Sequence, residues 1–139
     1  MIAPCALATA AEALVGVPFR LHGRVPATGL DCVGVIACAL AAAGAGPRAP
    51  RGYGLRDTDI ARFLALASAN GLVRASGPVA RGDLLLVSPG PAQHHLACAS
   101  GPREIVHAHA GLGRVVRQPL PADWPLLHHW RLVAATGRS

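Results

Sequence analysis

GLDCVGVIACALAAAG, Gly29 to Gly44, is the stretch on which the fold turns. Asp31 is an N-cap residue type standing directly before a run of Val, Ile, Leu and Ala, and Gly44 is the residue type that ends helices in a left-handed turn. The run between them carries no charge, which makes it a helix buried on all sides with Cys32 in its first turn. Continued to Gly46, the uncharged run has 15 residues, short of the roughly 20 that cross a bilayer, so no membrane span is expected. A thiol at the start of a helix meets unpaired amides and a partial positive charge, and both favour its thiolate. Cys5, Cys38 and Cys98 have no comparable setting and read as small core residues. Four Cys without a CxxC pair fit neither a zinc ribbon nor a disulfide scaffold.

Working outward, Ile2 to Val15 predicts a helix that ends near Gly16-Val17-Pro18, since Pro cannot continue one. Residues 18–30 carry Pro, Gly and Thr punctuation and read as a loop. AGPRAPRGYG, from Ala45 to Gly54, reads as a surface loop. Asp57-Thr58 can cap a further helix through Ala69, with Ile60, Phe63, Leu64 and Ala67 on one face and Asn70-Gly71 as the stop. The period then changes. Leu72-Val73, Asp83 to Val87, His95 to Ala99, Glu104 to His109, Arg114 to Gln118 and His129 to Ala134 are short runs between Gly or Pro turns, as in an antiparallel sheet. Helices first and strands afterwards predict an α+β fold, and 139 residues without repeat or linker predict one domain over 1–139.

Composition sets the remaining bounds. A chain that is 52% hydrophobic and 14% charged is too apolar to stay disordered. The formal charge is +6, all thirteen basic residues are Arg, and they are scattered without interleaved aromatics. That pattern reflects a GC-rich genome and gives no nucleic-acid footprint. The N-terminus lacks the basic region of a secretory signal, so cytoplasmic synthesis is expected. Seven His invite thoughts of metal, but there is no HExxH and His94-His95 and His128-His129 are adjacent pairs that diverge in a strand. Neither metal nor cofactor is expected. Arg81-Gly82-Asp83 fits a tight turn entering a strand.

A nucleophilic thiol needs a base, and the base needs a partner that fixes its tautomer. His95 opens a strand in which His95, Ala97 and Ala99 share one face, and Leu96 and Cys98 the other. The small face is expected to lie against the Cys32 helix. His107 is on the next strand, so a hairpin brings the two imidazoles together. His94 and His109 are the alternatives in each position, because adjacent strand residues face opposite sides and His109 shares a face with His107.

Four segments, in order, resemble the NlpC-type cell-wall cysteine peptidases, which are small papain-like enzymes. Gly16-Val17-Pro18-Phe19-Arg20-Leu21-His22-Gly23 and Gly29-Leu30-Asp31-Cys32-Val33-Gly34-Val35-Ile36 are similar to the family's first loop and its Asp-Cys-Ser-Gly motif. Arg81-Gly82-Asp83-Leu84-Leu85-Leu86 is similar to its Pro-Gly-Asp-Leu turn and strand, His95-Leu96-Ala97 to the His-Val-Gly strand, and Ile105-Val106-His107-Ala108 to the segment of the third residue.

The resemblance implies a papain-like α+β domain with Cys32 as nucleophile, His95 as base and later acid, and His107 as its orienting residue. Asp31 is then a cap, and Phe19, Arg20, His22 and Asp31 border the substrate. It further implies hydrolysis of an amide in peptidoglycan stem peptides, most often between γ-D-glutamate and a diamino acid. Such peptides carry free carboxylates, and on charge alone Arg20 or Arg24 is expected to meet them. The small stand-alone members it resembles are encoded with phage tails or gene-transfer particles, whose proteins are the expected partners. Three departures stand out: Phe19 in place of a Tyr whose hydroxyl lies near the nucleophile, His22 in place of Gly, and Val33 in place of Ser. A related papain-like amidase or acyltransferase, and a tail component with a decayed site, are the alternatives.

Overall fold

The computed structural model describes residues 4–44, 71–91 and 93–132. Two helices, α1 (Pro4–Glu12) and α2 (Cys32–Ala42), flank the short strands β1 (Arg24–Val25) and β2 (Gly29–Leu30) and are followed by six strands: β3 (Leu72–Arg74), β4 (Leu84–Val87), β5 (His95–Gly101), β6 (Glu104–His109), β7 (Arg114–Pro119) and β8 (Leu126–Leu132). The six form one sheet in the order β3-β8-β4-β5-β6-β7, antiparallel throughout. The expected α+β arrangement is the one observed. The helix expected over 57–69 lies outside the described residues.

Helix α2 forms as its ends dictate. Asp31 has an extended backbone and its Oδ1 accepts from Gly34 N at 2.9 Å, while Gly44 closes the other end at φ +90°. Val33, Val35, Ile36, Ala39 and Leu40 are wholly buried. Helix α1 is shorter than the sequence suggested: Ala13 to Gly16 turn out of it, and Gly16 N donates to Val115 O at 2.9 Å. Residues 16–19 then run along β7, with Val115 N donating to Val17 O and Phe19 N to Gly113 O, both at 2.8 Å. This segment covers the edge that β7 would otherwise expose.

The reading of 18–30 as plain loop needs correction. Arg24–Val25 (β1) and Gly29–Leu30 (β2) pair as a two-residue antiparallel ladder, and Phe19 bridges to Leu30. The ladder holds Gly23 against α2 so closely that a Cβ on Gly34 would fall 2.1 Å from Gly23 O.

Both faces of the sheet are covered, so strand β4, Leu-Leu-Leu-Val, is buried on each side. One face, with Leu84, Leu86, Leu96, Cys98, Val106, Ala108 and Val115, packs against α1 and α2. The other carries Leu85, Val87, Ala97, Ala99 and Ile105 under Val79, Leu120 and Trp124. The helices therefore lie on the Leu96/Cys98 face and not, as expected, on the small face of Ala97 and Ala99. An ion cluster around buried Asp83 fixes the turn before β4 to β8: Asp83 accepts from Arg131 Nε at 2.7 Å, Arg131 Nη2 at 2.9 Å, Ala80 N at 2.8 Å and His129 Nε2 at 2.5 Å. Arg81 beside it pairs with Glu12 of α1. Among the Cys read as core, Cys98 is buried and Cys38 half-buried, whereas Cys5 is exposed. Among the described residues no helix is long and apolar enough to cross a membrane.

Candidate active site

The first turn of α2 abuts the start of β5, and the amide N–H groups of Leu96 and Val33 face the Cys32 sulfur. Next to Leu96, His95 lies on the opposite face of the sheet. Its Nε2 is 2.6 Å from Nδ1 of His107 on β6, and His107 Nε2 is 2.9 Å from Oε1 of Gln118 on β7. With Ile105 opposite Gln118 and His107 opposite Val116, the three side chains form a diagonal row across adjacent strands. Trp124, in the turn before β8, stands edge-on to both imidazoles, its ring centroid 6.1 Å from His95 and 5.7 Å from His107.

Cys32, His95 and His107 all line one cleft of about 300 Å³, together with Phe19, Asp31, Pro89, Gln93, His94, His109 and Trp124. Of the alternatives the sequence left open, His95 and not His94 is paired with His107. His109 Nδ1 instead accepts from Leu112 N at 3.0 Å. Arg20 and His22 are exposed and are absent from the cleft lining, and no Arg is among its described lining residues, so the expected cationic border is not found there. His22 serves through its backbone: at φ 63° it donates its N–H to Asp31 Oδ2 at 2.7 Å. Asp31, buried, also accepts from Arg24 Nη1 at 3.0 Å. It is thus a cap and an anchor for the preceding loop.

Burial dominates the electrostatics of the thiol and the first imidazole. Burial pushes the Cys32 thiol up to about 12, aided by the Asp31 carboxylate and only partly opposed by the Leu96 and Val33 amides and by Arg24. Desolvation outweighs the helix terminus, contrary to the expected lowering. Burial, with His107 and His109 nearby, brings His95 down to about 3. His107 is lowered as well, chiefly by burial, against the hydrogen bond to Gln118 that raises it. Burial thus favours the uncharged form of each group.

The helix start also offers a donor. Gly34 N is taken by Asp31 Oδ1 and Val35 N by the Asp31 carbonyl at 2.9 Å, while Val33 N faces the sulfur. Among the described residues no backbone hydrogen bond takes the amide of Cys32 itself, which leaves it for an oxyanion formed at the thiol. Among the described residues, no three His, Cys, Asp or Glu side chains are grouped to hold a metal. Sequence reading missed Gln118 and Trp124. Gln118 becomes visible only through the β6–β7 register; Trp124 had a local signal, a scarce aromatic in a Pro-bounded turn.

No family model and no curated protein matches the sequence. Solved structures do. NlpC1 from Trichomonas vaginalis superposes with a TM-score of 0.66 at 17% identity, over 91% of this chain and 44% of that one. An NlpC/P60 family protein from Bacillus cereus gives 0.63 at 21%, over 91% and 39%. The peptidoglycan hydrolase RipB from Mycobacterium tuberculosis gives 0.58 at 22%, over 92% and 63%. The chain spans less than half the length of the first two. At such identities likeness carries architecture, and with the Cys-bearing helix set on an antiparallel sheet the chain has the NlpC/P60 fold.

Proposed function

We propose that the protein is a thiol hydrolase of peptidoglycan stem peptides, a single papain-like domain that cleaves the amide between γ-D-glutamate and a diamino acid. The observation that carries this reading is the meeting, in one cleft, of a Cys at a helix start with a hydrogen-bonded His95–His107 pair. Support for the substrate comes from the fold, which is shared with a structure described as a peptidoglycan hydrolase.

In this mechanism Cys32 Sγ attacks the amide carbonyl carbon as its proton passes to the free ring nitrogen of His95. The oxyanion of the tetrahedral intermediate takes the Cys32 amide N–H. His107, accepting from the other nitrogen of His95, orients the ring and stabilises the imidazolium. That imidazolium gives its proton to the leaving amine as the C–N bond breaks, leaving a thioester on Cys32. His95 then takes a proton from water, whose oxygen attacks the thioester, and returns it to the sulfur as the acid departs. Trp124 keeps water from the His95–His107 hydrogen bond.

The test is digestion of sacculi from a bacterium with diaminopimelate-containing stem peptides, with fragments sequenced by tandem mass spectrometry. Fragments beginning at the diamino acid with a new free amine are expected. Release of glycan fragments alone, or of nothing, overturns the reading.

A further inference from the structure

Gln118 lies outside the cleft lining, yet it ends the row that begins at His95. Its carboxamide is held at both ends: Nε2 donates to the Pro119 carbonyl at 3.4 Å, and Oε1 faces His107 Nε2 at 2.9 Å. A peptide carbonyl can only accept, so it draws the NH2 end of the amide toward itself and turns the oxygen to His107. An amide oxygen can also only accept, so His107 carries its proton on Nε2. Neutral His107 then has a bare Nδ1, which accepts from His95 Nε2 across 2.6 Å. With its proton on Nε2, neutral His95 has a bare Nδ1, and among the described residues no hydrogen bond engages that atom.

We propose that Gln118 is a positioning residue that sets the tautomer of both imidazoles and thereby makes His95 Nδ1 the base for Cys32. The inference rests on the reading of Cys32 and His95 as the catalytic pair. Each link passes on the direction of the one before. Were the carboxamide reversed, His107 would carry its proton on Nδ1 and donate to His95 Nε2, and His95 would carry its own proton on Nδ1, with no lone pair there to take one from a thiol. Removing the Gln118 oxygen leaves both directions open, and a fraction of molecules then lacks a base. A carboxylate at the same position restores the direction, since it too only accepts.

The experiment uses the full chain with 15N-labelled histidine, and needs no peptidoglycan. Long-range proton–nitrogen spectra at pH 7 report the protonated nitrogen of each ring, and iodoacetamide followed by peptide mass spectrometry reports the reactivity of Cys32, with exposed Cys5 as internal reference. In the wild type both rings are expected as Nε2–H. Gln118→Ala is expected to mix the tautomers and slow Cys32 alkylation about 10-fold or more, since a base held in the wrong tautomer cannot take the proton. Gln118→Glu is expected to keep Nε2–H and a rate within about twofold of wild type. An Nδ1–H tautomer on His95 in the wild type overturns the proposal whether or not Gln118→Ala folds. So does a Gln118→Ala protein with unchanged tautomers and unchanged Cys32 rate, even if its melting temperature drops. A protein that passes these tests but leaves sacculi intact contradicts the substrate assignment alone.

Discussion

His95 Nε2 lies 2.6 Å from His107 Nδ1, with the ring planes 82° apart and Trp124 edge-on to both. A contact this short, sheltered by an indole, holds the first imidazole by one nitrogen and frees the other. Replacing His107 with Ala is therefore expected to lower kcat by roughly 10²–10⁴-fold, the contribution of a positioned general acid–base, with the upper end reached when the imidazole takes the wrong tautomer. KM should change little. His107→Asn offers an amide oxygen that can accept from His95 Nε2 and is expected to recover part of the loss. Steady-state kinetics on a soluble stem peptide check both; a His107→Ala enzyme with wild-type kcat would show that the pair is idle.

With the Cys32 thiol at about 12 and His95 at about 3, neither group titrates in the middle of the pH range. Proton transfer then accompanies attack, and the rate profile for Cys32 alkylation or hydrolysis is expected to be flat from about pH 5 to 9. A limb with its midpoint near the ordinary His value of 6.5 would show instead that the imidazole carries a titrating charge at rest.

Stability has the opposite sensitivity. His95, His107 and His128 are lowered from 6.5, so below that pH the unfolded chain binds protons that the folded one refuses. This destabilises the fold progressively as pH falls from about 6.5 toward 3. Asp83, whose carboxylate is lowered by Arg131 and His129 despite its burial, adds to the loss at the acid end. On the alkaline side Cys32 and Cys98 keep their protons up to about 12 while unfolded thiols release theirs near 9, so stability falls again as pH rises through that window. Calorimetry should find the melting temperature highest between about pH 7 and 9, and a rise on going from pH 7 to 5 would contradict the buried neutral imidazoles.

The glycines that set the loop on the helix make a sharper packing test. A Cβ on Gly34 would meet Gly23 O at 2.1 Å, a backbone atom, while one on Gly101 meets nothing within 4 Å. Gly34→Ala is expected to cost on the order of 3 kcal/mol, as overpacking does when backbone must move. It should also abolish activity, because the shift separates His22 N from Asp31. Gly101→Ala should stay within about 0.5 kcal/mol of wild type. Urea denaturation of the two variants checks the contrast.

The Cys32 helix was legible in the sequence because its signals are local: Asp31 caps through an amide three residues away, and Gly44 terminates by its own conformation. The strands were legible by period and by their Gly and Pro turns. The two-residue ladder of Arg24–Val25 with Gly29–Leu30 was not, since so short a pairing has no period. Nor could sequence decide which face of β5 meets the helices, because both are buried. Ala97 and Ala99 are small enough to make room for a helix, yet they lie beneath the smaller layer that includes Trp124. In the site, His95 and His107 were recoverable from one hairpin. Gln118 required the register of a third strand, and the outward placement of Arg20 and His22 depends on the ladder and on the left-handed turn at His22.

On the proposed mechanism, peptidoglycan cleavage depends on the Cys32 sulfur. The most direct measurement compares the purified wild type with Cys32→Ala on the same sacculi and counts newly exposed amino groups together with the fragments released. Amines and stem-peptide fragments are expected to accumulate with the wild type and to stay at background with the variant. Equal release by the variant, or none by either protein, would contradict the mechanism.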